Sequence, residues 1–242
     1  MKDELKEELK DQPEAGLQQN GTGREPVLGP VAQLDFEVEG AAPVAHAAMP
    51  MLGFQLRIAS RGGHEIRSVV LDVQIQIAAR RRAYSERDEA QLGDLFGEPQ
   101  RWSSTLRTLP WLRTTQAIPG FERETVVELR VPCTYDFEVT AAKYLQALGD
   151  GEVPLELLFG GTVFYSAEDG RLQTAHIGWD READFRLPVA VWRETMDRYF
   201  PNSAWLRVSR ETFDRLYAYR GRNAITSWDQ TLESLLPPEA DG

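Results

Sequence analysis

Three histidines (His46, His64 and His176) and one cysteine (Cys133) are the chain's side chains best suited to metal ligation or nucleophile–base catalysis. Metal centres need such ligands at close spacing, and most activated nucleophiles need a positioned histidine. Here the four are scattered, with no Cys-x-x-Cys, no Gly-x-Ser-x-Gly and no phosphate-cradling glycine loop. The expectation is therefore no metal site, no cofactor and no catalytic residue. Cys133 follows Pro132 at a strand end, where a free cysteine reads as a small buried hydrophobe. Lys143 is the one lysine beyond Lys10, and a desolvated lysine can form a Schiff base. The competing reading, a surface position on a short helix, is preferred. The run Arg80-Arg81-Arg82 is the sharpest charge feature. It can grip a phosphate or an acidic partner, or be satisfied internally by Glu86, Asp88 and Glu89.

Charge and composition narrow the classes further. A formal net charge of −11 argues against nonspecific nucleic-acid or anionic-membrane binding, both of which need a basic face. No apolar run approaches the roughly 20 residues that span a bilayer, and the N-terminus has no apolar signal core. A single cysteine suits a reducing compartment. These features predict a cytoplasmic protein. Hydrophobic residues make up 42% of the chain, enough for a sizeable core.

The elements that must position these side chains follow from periodicity. Residues 1–30 and 237–242 read as disordered tails, too polar and Gly/Pro-rich to offset chain entropy. Residues 31–236 read as one α+β domain, β-rich over 31–180 and helical over 188–236. Leu34–Val38 and Phe54–Ile58 alternate apolar and polar residues, and Val69–Ile77 does so most clearly. Thr125–Val131 repeats the pattern. One-faced alternation predicts a mainly antiparallel, sandwich-like sheet. Val153–Ser166 and Leu172–Trp179 form a further pair, with Gly160-Gly161 marking a bulge or close backbone approach.

Helical spacing appears in Glu86–Phe96, closed at Gly97, and in Ala141–Leu148, with Thr140 as its cap. Past Pro188, Val189, Trp192, Met196 and Tyr199 form a helical stripe. Ser209 caps a helix with Phe213, Leu216 and Tyr217 on its apolar face. Ser227 and Gln230 have capping-box spacing before Trp228, Leu232, Leu235 and Leu236. Most of these aromatics are expected to pack the helices onto the sheet, with Trp205 and Tyr219 as candidates for an exposed patch. The long connection Ala83–Pro119, carrying Trp102 and Trp111, is expected to fold over the sheet as a lid, or simply to cap an open end of the core. Arg81, Arg82, Trp102, Trp111 and Trp205 are the candidate partner- or ligand-binding residues.

The motifs also carry a resemblance. Gln74–Ile77 with Arg81-Arg82 and Tyr84, Leu95–Pro99 with Arg101-Trp102, and Lys143–Leu145 contribute to it. So do Gly151–Leu155, Leu158–Phe164, Arg186–Trp192, Phe200–Ser203 and Trp228-Asp229. Together they resemble a bacterial domain-of-unknown-function family that accompanies nickel–iron hydrogenase gene clusters, with Gly160 standing where that pattern has serine. The resemblance implies a role in hydrogenase assembly or function. Without clustered Cys or His, the chain is a poor metal carrier or electron relay. The expected function is a non-catalytic accessory or scaffold protein binding a hydrogenase subunit or maturation factor. The alternative is a small-ligand-binding domain or unrecognised enzyme with a pocket under the 83–119 segment.

Overall fold

A computed structural model describes residues 33–134, 136, 139–201, 203 and 207–237. The expected tails, Pro237 apart, lie outside the described residues. The described strands are β1 (Gln33–Pro43), β2 (Met51–Arg61), β3 (Ile66–Ile77), β4 (Leu109–Phe121), β5 (Glu124–Pro132), β6 (Glu152–Ser166) and β7 (Leu172–Pro188). They form two antiparallel sheets, ordered β1-β2-β5 and β4-β3-β6-β7. This order is that of an immunoglobulin-like sandwich, in which the chain changes sheet between β2 and β3, β4 and β5, and β5 and β6. The helices are α1 (Glu86–Phe96), α2 (Trp102–Thr105), α3 (Thr140–Ala147), α4 (Val189–Tyr199), α5 (Arg210–Arg222) and α6 (Trp228–Glu233). An α+β fold is thus present, an antiparallel sandwich with three of these six helices following its last strand.

The alternation read from sequence explains the core. Val69, Leu71, Val73, Ile75 and Ile77 of β3 are all fully buried. Each contributes about 1.5–3 kcal/mol of burial, which places β3 inside its sheet, paired on both sides. The facing sheet supplies Leu52, Phe54, Leu56 and Ile58, also fully buried. Aromatic contacts join the two layers: Phe36 stacks on Phe159 at 4.2 Å, and Phe54 meets Phe185 edge-on at 5.8 Å.

Gly161 fits the expected close approach. The β6–β7 register shifts between Phe159 and Gly161, and Gly161 sits at φ +119°. A Cβ at this position would overlap the Val70 carbonyl oxygen of β3. Only glycine satisfies both conditions.

The 83–119 segment departs from expectation. Its first part is helical as predicted: Ser85 makes a full capping box with Asp88, and α1 closes at Gly97. Its second part is no lid, because Leu109–Phe121 is β4, hydrogen-bonded to β3. Pro110 and Pro119 disguise this strand, yet an edge strand tolerates them since one side of its ladder is unused. Two smaller corrections follow. The cap of α3 is Val139 rather than Thr140, with no side-chain cap bond, and β7 continues nine residues past Trp179 to Pro188.

The C-terminal helices divide into two kinds. Helix α4 buries Val189, Trp192, Thr195 and Met196 against β1, β2 and β7. Helix α5 buries no residue at all. Its Phe213 and Tyr217 pack on Trp228 of α6 rather than on the sheet, with ring centroids 5.4 and 6.4 Å away. Phe213 and Tyr217 stay 44% and 56% exposed, contrary to the expectation that these aromatics seal the sandwich.

Candidate functional site

The arginine run lies where β3 ends, beside the loop 149–152 that leads into β6. Arg81 makes a two-pronged bond to Asp184, at 2.8 and 2.7 Å, and a third bond to Glu156 at 3.1 Å. These bonds hold the Asp184 carboxyl below the usual carboxylate range. Arg82 is different, because its side chain is only 7% exposed. Its guanidinium donates to the carbonyls of Asp150 and Glu152, both at 2.6 Å, and pairs with Asp88 at 3.4 Å. Asp88 in turn accepts the Gly149 N–H at 2.8 Å and the Ser85 N–H at 3.4 Å. The loop is held at its remaining points too: Arg193 donates to Leu148 O, and the Val189 N–H donates to Gly151 O. A cleft of about 360 Å³ opens here, lined by Arg81, Arg82, Ser85, Asp88, Asp150 and Arg186 among others. Both arginines of the candidate pair are thus engaged by the protein itself.

Trp102 and Trp111 do not join that cleft. Trp102 is 6% exposed, donates Nε1–H to Gly97 O at 2.9 Å, and meets Tyr84 and Phe96 edge-on at 5.1 and 5.8 Å. Tyr84 and Tyr144 share a hydroxyl–hydroxyl bond of 2.8 Å beneath it, so α1, α2 and α3 close one end of the core. Trp111 is half-buried on β4, edge-on to Phe54 at 6.4 Å, between the sheets. Trp205 lies outside the described residues.

The other reactive groups are dispersed. Cys133 is buried, and desolvation pushes its thiol up to about 12. Lys143 pairs with Asp94 at 3.0 Å. His64 is buried against Tyr165, whereas His46 and His176 are exposed. Among the described residues no three His, Cys, Asp or Glu side chains group to hold a metal, and no helix is long and apolar enough to cross a membrane.

What the sequence reading missed, Tyr219 apart, is on the helix pair. Thr212, Arg215, Leu216, Ala218, Tyr219 and Arg222 of α5, with Leu235, line a groove of about 380 Å³. The opposite side of α5 is the aromatic cluster, where Arg220 lies over the Trp228 ring at 4.4 Å and the Tyr217 ring at 5.2 Å. The residues 212, 215, 216, 219 and 222 follow helical spacing, so a helical plot of this segment contains the groove's signal.

A family model described as "Family of unknown function (DUF6084)" matches residues 31–242. No curated protein matches the chain. Among solved structures, the CARDB domain of the PF1109 protein from Pyrococcus furiosus, in complex with di-metal ions, is similar at 11% identity and a TM-score of 0.27. That match covers 65% of this chain and 93% of the other. Beta-glucosidase 3B from Thermotoga neapolitana, in complex with alpha-D-glucose, is similar at 14% identity and a TM-score of 0.24, over 64% of this chain and 17% of that one. Likenesses this distant carry no functional argument.

Proposed function

This chain belongs to the DUF6084 family of unknown function, and we propose that it is a non-catalytic accessory or scaffold protein of the cytoplasm that binds a protein partner. The observation that carries this reading is the α5–α6 helix pair. It adds nothing to the sandwich core, yet holds Phe213, Tyr217, Leu232, Leu235 and Leu236 at least 36% exposed. An isolated helix of 13 residues is marginal in water, so such a pair is more stable with a surface to lie against. Contiguous exposed apolar side chains of this kind mark interaction sites. The resemblance to families found beside hydrogenase genes points to a nickel–iron hydrogenase subunit or maturation factor as that partner.

The alternative, a small-ligand site under the 83–119 segment, has less support. Trp102 fills the space under α1, and Arg81 and Arg82 are bonded to Asp184, Glu156, Asp88 and loop carbonyls, with only the buried Arg82 Nε left without a partner among the described residues. The deciding test is co-purification of the tagged full chain from its native host, grown under hydrogenase-inducing conditions. Stoichiometric recovery of a hydrogenase subunit or maturation factor is the expected result. Monodisperse chain without any hydrogenase component overturns the assignment.

A further inference from the structure

We infer that the groove on α5 is the docking site for an acidic amphipathic helix of the partner protein, an inference that rests on the partner-binding reading above. The two faces of α5 have different occupations. Phe213, Tyr217 and Arg220 are used internally, against Trp228. The groove face, with Thr212, Arg215, Leu216, Tyr219 and Arg222, is closed on one side by Leu235 and otherwise open. The Tyr219 hydroxyl and Ser234 Oγ share a hydrogen bond at 3.3 Å, with the Ser234 proton given to the Thr231 carbonyl, so α6 is tied to α5 beside the groove.

Charge selects the occupant. Arg215 and Arg222 are the charged side chains lining the groove. Among the described residues neither has a carboxylate within ion-pair distance. On the sandwich Arg57, Arg67, Arg81, Arg130 and Arg181 are each ion-paired. A chain of net charge −11 repels acidic surfaces at long range, so an acidic partner needs a local cationic foothold. Two guanidiniums that meet no carboxylate among the described residues flank an apolar floor and supply one, each able to take a carboxylate in two-pronged fashion.

Spacing selects its form. Arg215 and Arg222 are seven residues apart, about 10 Å along the helix axis on one side. Two carboxylates at positions i and i+7 of an opposing helix match that separation. A leucine or phenylalanine at i+3 or i+4 then falls over Leu216, Tyr219 and Leu235, the anchor pattern of helix-in-groove recognition.

The test uses the full chain and two labelled 16-residue helical peptides. One carries Glu at i and i+7 with Leu at i+3 and i+4, and the other carries Lys in place of Glu. Fluorescence polarisation is expected to show the acidic peptide binding about tenfold or more tighter, with affinity falling as salt rises. The double variant R215E/R222E, with unchanged circular dichroism and melting temperature, is expected to reverse the preference. Equal binding of the two peptides, no binding of the acidic one, or undiminished binding by the double variant overturns the groove assignment. So does a concentration-dependent dimer, or binding to anionic phosphatidylserine vesicles, that the double variant abolishes. Repeating the native-host capture with R215E/R222E separates the two levels. Wild-type recovery of a hydrogenase component by the variant leaves the partner reading standing and removes the groove. Absence of that component from the wild-type capture removes the partner reading itself.

Discussion

Arg82 and Asp88 hold the same loop with opposite polarity. The guanidinium donates to the carbonyls of Asp150 and Glu152, while the carboxylate accepts the Gly149 N–H, and the two side chains pair with each other at 3.4 Å. Both are buried, at 7% and 2% side-chain exposure. Gly151 completes the arrangement, since a Cβ at its φ of +75° would press within 3.3 Å of Arg82 Nη1. Arg82, one of the two arginines put forward as a grip on a ligand or partner, is a fastening between the β3 end, α1 and the loop into β6.

Removing one partner therefore strands the other. Arg82→Met leaves Asp88 buried beside unmatched loop carbonyls, and a loss of about 3–5 kcal/mol in urea unfolding is expected. A loss below about 1 kcal/mol would show that the loop is held by its other bonds alone.

The same pair sets an acid dependence. Desolvation pushes the Asp88 carboxyl up, but bonds from Gly149 and Ser85 and the charge of Arg82 outweigh it, so the net shift is downward. A depressed folded value means stability that is fully present above the unfolded carboxylate value of about 3.9 and lost as pH falls below it. The stability gap between wild type and Asp88→Asn is thus expected to be constant near neutrality and to narrow below about pH 4. Parallel urea curves at descending pH check this, and a gap that widens in acid would reverse the sign of the argument.

Trp102 and Phe213 give the clearest contrast between core and surface. Trp102→Ala empties a site enclosed by Tyr84 and Phe96, at an expected cost of about 3–5 kcal/mol. Phe213→Ala, on a helix that buries nothing, is expected to change global stability by less than about 1 kcal/mol. Thermal melts of both variants test the division directly. An unaffected melt for Trp102→Ala would return this residue to the surface.

The legible part of the fold was the part governed by a single local period. Five alternating apolar residues made β3 readable, and the helical spacing of Glu86–Phe96 with its Gly97 stop made α1 readable. The β4 strand was not, because its prolines are permitted only by an edge position that pairing partners decide. The surroundings of the candidate arginines were illegible for a related reason. Whether Arg81 is free depends on Asp184, 103 residues away, and no local pattern joins the two. The open face of α5 is legible as a helical stripe, but its lack of a covering sheet is a tertiary fact.

Cys133 offers a test at the other end of the pH scale. Its thiol sits next to Pro132, donates weakly to the Val131 carbonyl at 3.7 Å, and is buried beside Leu52. Desolvation dominates over the one stabilising contact from the Leu52 N–H, which is why the value rises to about 12. Thiolate is the reactive form, so at pH 8 the native protein is expected to leave a disulfide reagent unconsumed, and the urea-unfolded protein to consume one equivalent. A raised folded value also costs stability in alkali, since the unfolded thiol ionises near 8.5 while the folded one stays neutral. Between those two values Cys133→Ala is expected to lose less stability with rising pH than the wild type does. Rapid labelling of the native protein at pH 8 would mean that the β5 end opens to solvent, and that Cys133 is not the closed part of the core its burial indicates.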